Sequence, residues 1–203
     1  MNVTKPQWII FDIGGVLNNF DKSITTTAEY LGVSKRELLH AYFKDFKEVE
    51  ISKLHYKEKL REMLISLDSD KDIENVIPLL FSTETYLADS LKLVEQLYNA
   101  GYSLALLTNT WHGITEDVVA NLKEFHMFKQ IFDSSELGLR KPEKQIFLHV
   151  EEALDAKGKQ ILFVDDRLEN LEIGKEFGWQ TYLYEIAEDE GRKSNDTLRK
   201  LLL

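Results

Sequence analysis

Short apolar runs separated by helical stretches constrain this chain more than any other feature. They are Trp8-Ile9-Ile10-Phe11, Leu104-Ala105-Leu106-Leu107, Ile161-Leu162-Phe163-Val164 and Trp179 to Tyr184. Each is too short for a typical helix, and several are rich in β-branched or aromatic residues. They read as strands buried on both faces, as in a parallel sheet. Gln130-Ile131-Phe132 is a weaker candidate of the same kind. Between the runs the pattern is helical. Leu91, Val94, Leu97 and Tyr98 recur on one face, and Gly101 follows as a stop. Pro142 stands where a first helical turn would begin, ahead of Ile146, Phe147 and Val150. Leu168, Leu171, Ile173 and Phe177 give another helix, ended near Gly178. Strands alternating with helices predict an α/β fold with a doubly wound, Rossmann-like parallel sheet.

The segment 18–86 breaks the alternation and contains no convincing strand. Tyr30-Leu31-Gly32 reads as a helix end, and Ser34-Lys35-Arg36-Glu37 as a capping box that opens the next helix. Helical patterns continue over His55 to Leu67 and Asp72 to Phe81. A length of 203 residues is long for one minimal domain and short for two. The expected organisation is therefore an α/β core made of residues 1–17 and 87–203, with an all-helical cap, 18–86, inserted after the first strand. Near the C-terminus, Glu185 to Asn195 reads as a polar surface loop.

Composition narrows the function classes. Hydrophobic residues make up 43% of the chain, enough for a sizeable core. No apolar run is long enough to span a bilayer, and Met1 to Trp8 lacks the apolar centre of a signal peptide. The absence of cysteine excludes disulfides and thiolate metal sites. These features give the expectation of a cytoplasmic protein with no membrane partner, and they carry no signal for an oligomeric state. A net charge of -10 disfavours nucleic acid as a partner. It would also repel a phosphate ester, so a site for one must hold local positive charge.

In open parallel sheets ligands bind beyond the carboxyl ends of the strands. Asp12, Gly14 and Gly15 follow the first expected strand, and Thr108 and Asn109 follow the second. Lys141 precedes the helix near Pro142, and Asp165 and Asp166 follow the Ile161 strand. Crowded carboxylates cannot all ionise without a cation. Magnesium suits such an oxygen-only site, sharing carboxylates and a phosphate oxygen. Asp12 could then attack phosphorus and form an aspartyl-phosphate. Thr108 and N–H groups near Asn109 could hold phosphate oxygens, and Lys141 could neutralise developing charge.

These residues also carry a family resemblance. Phe11-Asp12-Ile13-Gly14-Gly15-Val16-Leu17, Leu107-Thr108-Asn109, Arg140-Lys141-Pro142 with Ile146-Phe147, and Phe163-Val164-Asp165-Asp166 with Asn170 resemble, in order, the motifs of the haloacid dehalogenase superfamily. The helical segment is similar to the cap of the subfamily whose cap follows the first motif. The branch it most resembles holds glucose-1-phosphate phosphatase-like proteins and the phosphatase domain of soluble epoxide hydrolase. The resemblance implies Asp12 as nucleophile and magnesium ligand, with the main-chain carbonyl of Gly14 as another ligand. It implies Asp166 as the main carboxylate ligand from the last motif, with Asp165 beside it as a further metal-site residue, on the metal itself or just behind its ligands. Thr108 and Asn109 take the place of the phosphate grip, and Lys141 that of the stabilising lysine. The implied activity is a magnesium-dependent phosphohydrolase acting on a small phosphorylated metabolite, a sugar phosphate being one candidate.

One position departs from the pattern. The family's phosphatases carry an acid–base aspartate two residues after the nucleophile, and here that residue is Gly14. True dehalogenases lack that aspartate too but need no metal, and the Asp165-Asp166 pair argues for one. The alternatives are thus a metal-independent dehalogenase, or a phosphate-ligand-binding protein that has lost turnover. Trp111 and His112 could border the substrate, and His112 is the nearest candidate for the missing proton donor. The plain reading of His112 is a solvated loop side chain, and that of Arg167 a surface charge at a helix start. His40, His55, His126 and His149 show no metal-ligand spacing and read as structural.

Overall fold

The computed structural model describes residues 4–82, 85–117 and 119–203. Residues 1–3 of the N-terminal stretch and 83–84 of the helical insertion lie outside the described residues. The strands are β1 (Trp8–Phe11), β2 (Ser103–Thr108), β3 (Phe128–Asp133), β4 (Ile161–Asp165) and β5 (Gln180–Leu183). They pair in parallel in the order β3-β2-β1-β4-β5. The fold is the expected Rossmann-like α/β arrangement. Alternate residues of each strand feed opposite cores, as the period of a pleated strand requires. Ile9, Phe11, Leu104, Leu106, Leu162 and Val164 pack with Leu93, Val94 and Leu97 of α6 (Ala88–Asn99) and Leu198 of α11 (Arg192–Leu202). Ile10, Ala105, Leu107 and Phe163 pack on the other face with Ile146, Phe147 and Val150 of α9 (Lys144–Leu154) and Leu171 of α10 (Leu168–Glu176).

Between β1 and α6 the chain forms α1 (Phe20–Leu31), α2 (Lys35–Tyr42), α3 (Phe46–Val49), α4 (Tyr56–Ser66) and α5 (Ile73–Leu80). Gly32 takes the left-handed conformation, φ 70°, that lets the chain leave α1. The Ser34–Glu37 capping box forms in both directions, Glu37 N–H to Ser34 Oγ at 3.2 Å and Ser34 N–H to Glu37 Oε2 at 2.8 Å. These helices share their own core, including Ile24, Leu38, Leu60, Met63 and Val76. Trp111 from the loop beyond β2 and Ile114 of the short α7 (Ile114–Asp117) complete that core, so the segment is packed onto the sheet's carboxyl edge. The outgoing and returning chains run side by side. Asn19 N–H donates to Thr85 O and Leu87 N–H to Leu17 O, both at 2.8 Å.

Several expected boundaries shift. Pro142 does not open a helix. Arg140 to Glu143 form a turn, closed by Glu143 N–H to Arg140 O at 2.9 Å, and α9 starts at Lys144. A proline fits that turn because it needs no N–H there. β5 is shorter than Trp179 to Tyr184. Trp179 N–H instead closes onto Gly174 O, and the Tyr184 hydroxyl contacts Ser90 Oγ at 2.8 Å. Glu185 to Asn195 is not loop throughout, since α11 begins at Arg192. Asp189 accepts the N–H groups of Gly191 and Lys193, both at 3.2 Å, which anchors that helix start. No described helix is long and apolar enough to cross a membrane.

Candidate active site

In a doubly wound sheet the ligand crevice opens where successive connections leave in opposite directions. Here the chain winds from β1 outward to β2 and β3, then crosses back to β4 and on to β5. The crevice therefore lies at the ends of β1 and β4, where Asp12 and the Asp165-Asp166 pair stand. Asp12 N–H donates to Val164 O at 3.0 Å, so the β1–β4 ladder fixes the backbone of that aspartate.

Lys141 is buried between the two strand ends. Its Nζ lies 2.9 Å from Asp12 Oδ1 and 2.8 Å from Asp165 Oδ2. Asn109 fixes the backbone of this lysine. Its Oδ1 accepts Lys141 N–H and its Nδ2 donates to Lys141 O, both at 2.9 Å. The Asn109 side chain thus positions the lysine, and Thr108, Asn109 and Thr110 line the cavity.

The adjacent aspartates have different surroundings. Asp165 is fully buried, and its Oδ1 accepts Arg167 N–H at 2.8 Å. Asn170 Nδ2 lies 3.0 Å from each of its oxygens. Both oxygens of Asp165 are therefore engaged by protein donors. Asp166 is exposed and lines the cavity. Gly15 makes room for it. At φ +73° a Cβ on Gly15 would stand 2.2 Å from Asp166 Oδ2, so only glycine fits. Gly14 is not in the left-handed region, and a Cβ there would meet nothing within 4 Å.

Oxygens of Asp12, Asp165 and Asp166 lie within 4.8 Å of one another. Burial raises the Asp12 carboxyl well above the usual carboxylate range, against the pull of Lys141, and Asp165 and Asp166 push the same way. Although Asp166 reaches solvent, desolvation by the surrounding cavity wall and the Asp165 charge push it up to about 6. Burial works against charge on Lys141, yet Asp12 and Asp165 hold its ammonium above the usual lysine value. One ammonium among these carboxylates leaves negative charge in excess. An oxygen-only donor set with that excess fits a hard divalent cation.

Above this floor is a cavity of about 430 Å³. Its far wall is aromatic, made by Phe20, Tyr42, Phe43, Phe81, Tyr86 and Trp111. Tyr42 stacks on Trp111 with centroids 4.3 Å apart. Trp111 therefore borders the cavity, and His112 is not among the lining residues. The His112 ring lies 2.6 Å from Oε1 of Glu136, in the short α8 (Ser134–Leu137), instead. Arg167 lines the cavity while pairing with Glu169. His55 caps α4, accepting Lys57 N–H on Nδ1 at 3.3 Å. Sequence reasoning missed Glu50, and has Arg140 only as part of the lysine motif; the two form a buried cross-link from the helical segment to the core, with Nε to Oε2 at 2.7 Å. Their separation of 90 positions leaves no local pattern to find.

A family model described as haloacid dehalogenase-like hydrolase matches residues 6–178. The chain belongs to this family. The motif resemblance is thereby borne out. Bifunctional epoxide hydrolase 2 of Mus musculus is 23% identical over 195 residues, covering 85% of this chain. The chain spans 35% of that protein's length. Sesquiterpene phosphatase astK of Aspergillus oryzae is 32% identical over 83 residues, covering 39% of this chain and 40% of its own length. Among solved structures, a haloacid dehalogenase family enzyme of Bacteroides thetaiotaomicron in complex with magnesium and inorganic phosphate superposes with a TM-score of 0.70 at 20% identity. That match covers 93% of this chain and 98% of the other. A dehalogenase superposes with a TM-score of 0.73 at 18% identity over 98% of each chain. Likeness at this level shows the fold of this haloacid dehalogenase-like hydrolase and leaves its chemistry to the site.

Proposed function

We propose that this hydrolase is a magnesium-dependent phosphatase that acts on a small phosphorylated metabolite through an aspartyl-phosphate on Asp12. The observation that carries the reading is the Lys141 ammonium, held within 2.9 Å of Asp12 on the floor of a cluster rich in carboxylates. Asp12, the main-chain carbonyl of Gly14 and Asp166 would hold the metal, with Asp165 bracing the lysine behind them. Bound there, magnesium would neutralise and orient phosphate oxygens beside the carboxylates. Lys141 pulls Asp12 towards the ionised form that attacks, against the effect of its burial, and balances charge on the transferring phosphoryl group. Thr108 and the main chain at Asn109 hold phosphate oxygens. The Asp12 oxygen attacks phosphorus, the ester bond breaks towards the leaving oxygen, and water then frees phosphate from Asp12.

In this reading residues 18–86 are a lid over a core of residues 1–17 and 87–203, and the lid receives the alcohol part of the ester. The aromatic wall favours an alcohol with an apolar face over a bare polyol. The name of one relative, a sesquiterpene phosphatase, agrees with that preference. The dehalogenase alternative does not account for the Asp166 carboxylate beside Asp12. Phosphate release from a panel of esters, with magnesium and with excess chelator, tests the function. Full activity in chelator, or halide release without metal, would overturn it. Tight magnesium-dependent phosphate binding with no turnover on any ester would favour the binding-protein alternative.

A further inference from the structure

The chemistry just described leaves a proton without a carrier. Expulsion of an alkoxide needs an acid, and attack by water needs a base. Gly14 supplies neither, and His112 lies outside the cavity lining. We propose, resting on the phosphatase reading, that Glu50 from the helical segment is the general acid and base of this reaction.

Glu50 lines the same cavity as Asp12, Thr108 and Asp166. It is fully buried, and its two oxygens differ. Oε2 accepts Arg140 Nε at 2.7 Å and Asn109 Nδ2 at 3.3 Å. Oε1 has no hydrogen-bond partner among the described residues. A buried polar atom without a partner is costly, and its presence in a ligand cavity calls for an explanation. A substrate oxygen, directly or through one water, supplies the partner that Oε1 lacks. Asn109 ties the carboxyl to the active-site floor, because the same side chain clamps the Lys141 backbone.

The charged groups around Glu50 are Arg140, Lys141 and Arg167, with Tyr42 as a further titratable neighbour. Burial pushes the Glu50 carboxyl up to about 6 even though these cations oppose it. That value lies in the range where a carboxyl can both give and take a proton near neutral pH. Arg140 then stabilises the carboxylate left behind.

In the first step an Asp12 oxygen bonds to phosphorus and the phosphorus–oxygen ester bond breaks. Its electron pair goes to the leaving oxygen, which takes the Glu50 proton and departs as an alcohol. In the second step water oxygen bonds to phosphorus and its proton passes to the Glu50 carboxylate. The bond from phosphorus to Asp12 breaks, and the Asp12 carboxylate and the Glu50 acid are restored.

The test compares wild type, Glu50→Gln, Gly14→Asp and the double variant in magnesium. First-turnover release of alcohol is followed from butyl phosphate and from p-nitrophenyl phosphate, whose leaving group needs no proton. Glu50→Gln is expected to slow butanol release by on the order of 10²-fold or more and to leave the p-nitrophenol burst within about threefold. Gly14→Asp in the Glu50→Gln background is expected to restore butanol release at least about tenfold, since position 14 has room for a side chain. Equal loss on both esters at an unchanged melting temperature would make Glu50 a brace and overturn the proposal. If Glu50→Gln does not fold, Glu50→Asp decides in its place. A larger loss on butyl phosphate than on p-nitrophenyl phosphate supports the acid role, and equal losses overturn it. Absence of an Asp12-dependent p-nitrophenol burst in wild type would overturn the phosphatase reading, and this proposal with it.

Discussion

The floor and the far wall of the cavity are built by opposite means. On the floor, Asp12, Lys141, Asp165 and Asn170 hold one another through bonds of 2.8 to 3.0 Å, anchored at strand ends, in the turn before α9 and in the first turn of α10. On the far wall, Phe20, Tyr42, Phe43 and Phe81 come from the helical segment; Tyr42 and Phe81 meet Trp111 through ring contacts, and Phe20 and Phe43 pack against Tyr42. Charge networks are unforgiving, because removal of one partner strands the others. Apolar walls tolerate change of shape as long as volume is filled. The floor is thus suited to fix the reaction and the wall to select what is brought to it. If that division holds, substitutions on the floor should abolish or unfold, and those on the wall should re-rank substrates.

The largest effect is expected at Asp12. Asp12→Asn should cut turnover by on the order of 10⁴-fold or more, because an amide cannot form the acyl-phosphate. Its melting temperature should not fall, since Lys141 keeps Asp165 as a partner at 2.8 Å. Beryllium fluoride should bind wild type and not this variant. Turnover near the wild-type rate in Asp12→Asn would remove the nucleophile from the mechanism. Next is Lys141→Met, which leaves buried carboxylates without their cation. Loss of one member of a buried pair costs about 3–5 kcal/mol. Chemical denaturation should show a drop of that size without magnesium, and a smaller one with it. An unchanged unfolding midpoint in Lys141→Met would show that the floor is not a charge network.

The floor was also the more legible region. The carboxylates and the hydroxyl each follow an apolar strand, and the lysine stands just before a helix, so topology brings them to one rim. Asn170 sits five positions beyond Asp165 and bonds back to it. Apart from Trp111, which stands just beyond the second strand, the wall was not legible. Phe20, Tyr42, Phe43 and Phe81 lie in or at the ends of amphipathic helices, where a core role and a cavity role look alike. The pairing of Glu50 with Arg140 was hidden for another reason, since only the packing of the helical segment onto the sheet brings them together. Element boundaries failed where a side chain changed the ending. Pro142 closes a turn rather than starting α9, and Asp189 draws α11 back into a stretch that reads as polar loop.

The adjacent aspartates sharpen the comparison within the floor itself. Asp166 faces the cavity, whereas both oxygens of Asp165 are bonded inside. Asp166→Asn, which removes a direct ligand, should weaken magnesium binding by at least about 100-fold, above the roughly 10- to 100-fold cost of losing a group behind the ligands, with little change in melting temperature. Asp165→Asn should lower the melting temperature by several degrees and weaken magnesium less, because its loss is felt first by Lys141 and Asn170. Isothermal titration with magnesium and thermal unfolding of both variants give the two rankings. A larger loss of magnesium affinity at Asp165 would reverse the assignment of ligand and brace.

The smallest effect is expected on the wall. Phe43 lines the cavity from the end of α2 and is 43% exposed, so its truncation costs little folding energy. In an apolar pocket, contacts of this size discriminate between substrates by about 1–3 kcal/mol. Phe43→Ala should therefore lower kcat/KM for an ester with an apolar alcohol, such as farnesyl phosphate, by about tenfold. It should lower that for glycerol 3-phosphate by less than about twofold, since a short polyol has little apolar surface to place there. Inorganic phosphate should inhibit both forms equally, because its contacts are all on the floor. Equal losses on the two esters would mean that the wall does not select. A matching loss of phosphate affinity would mean that the helical segment shapes the floor as well, and the division between reaction and selection would have to be redrawn.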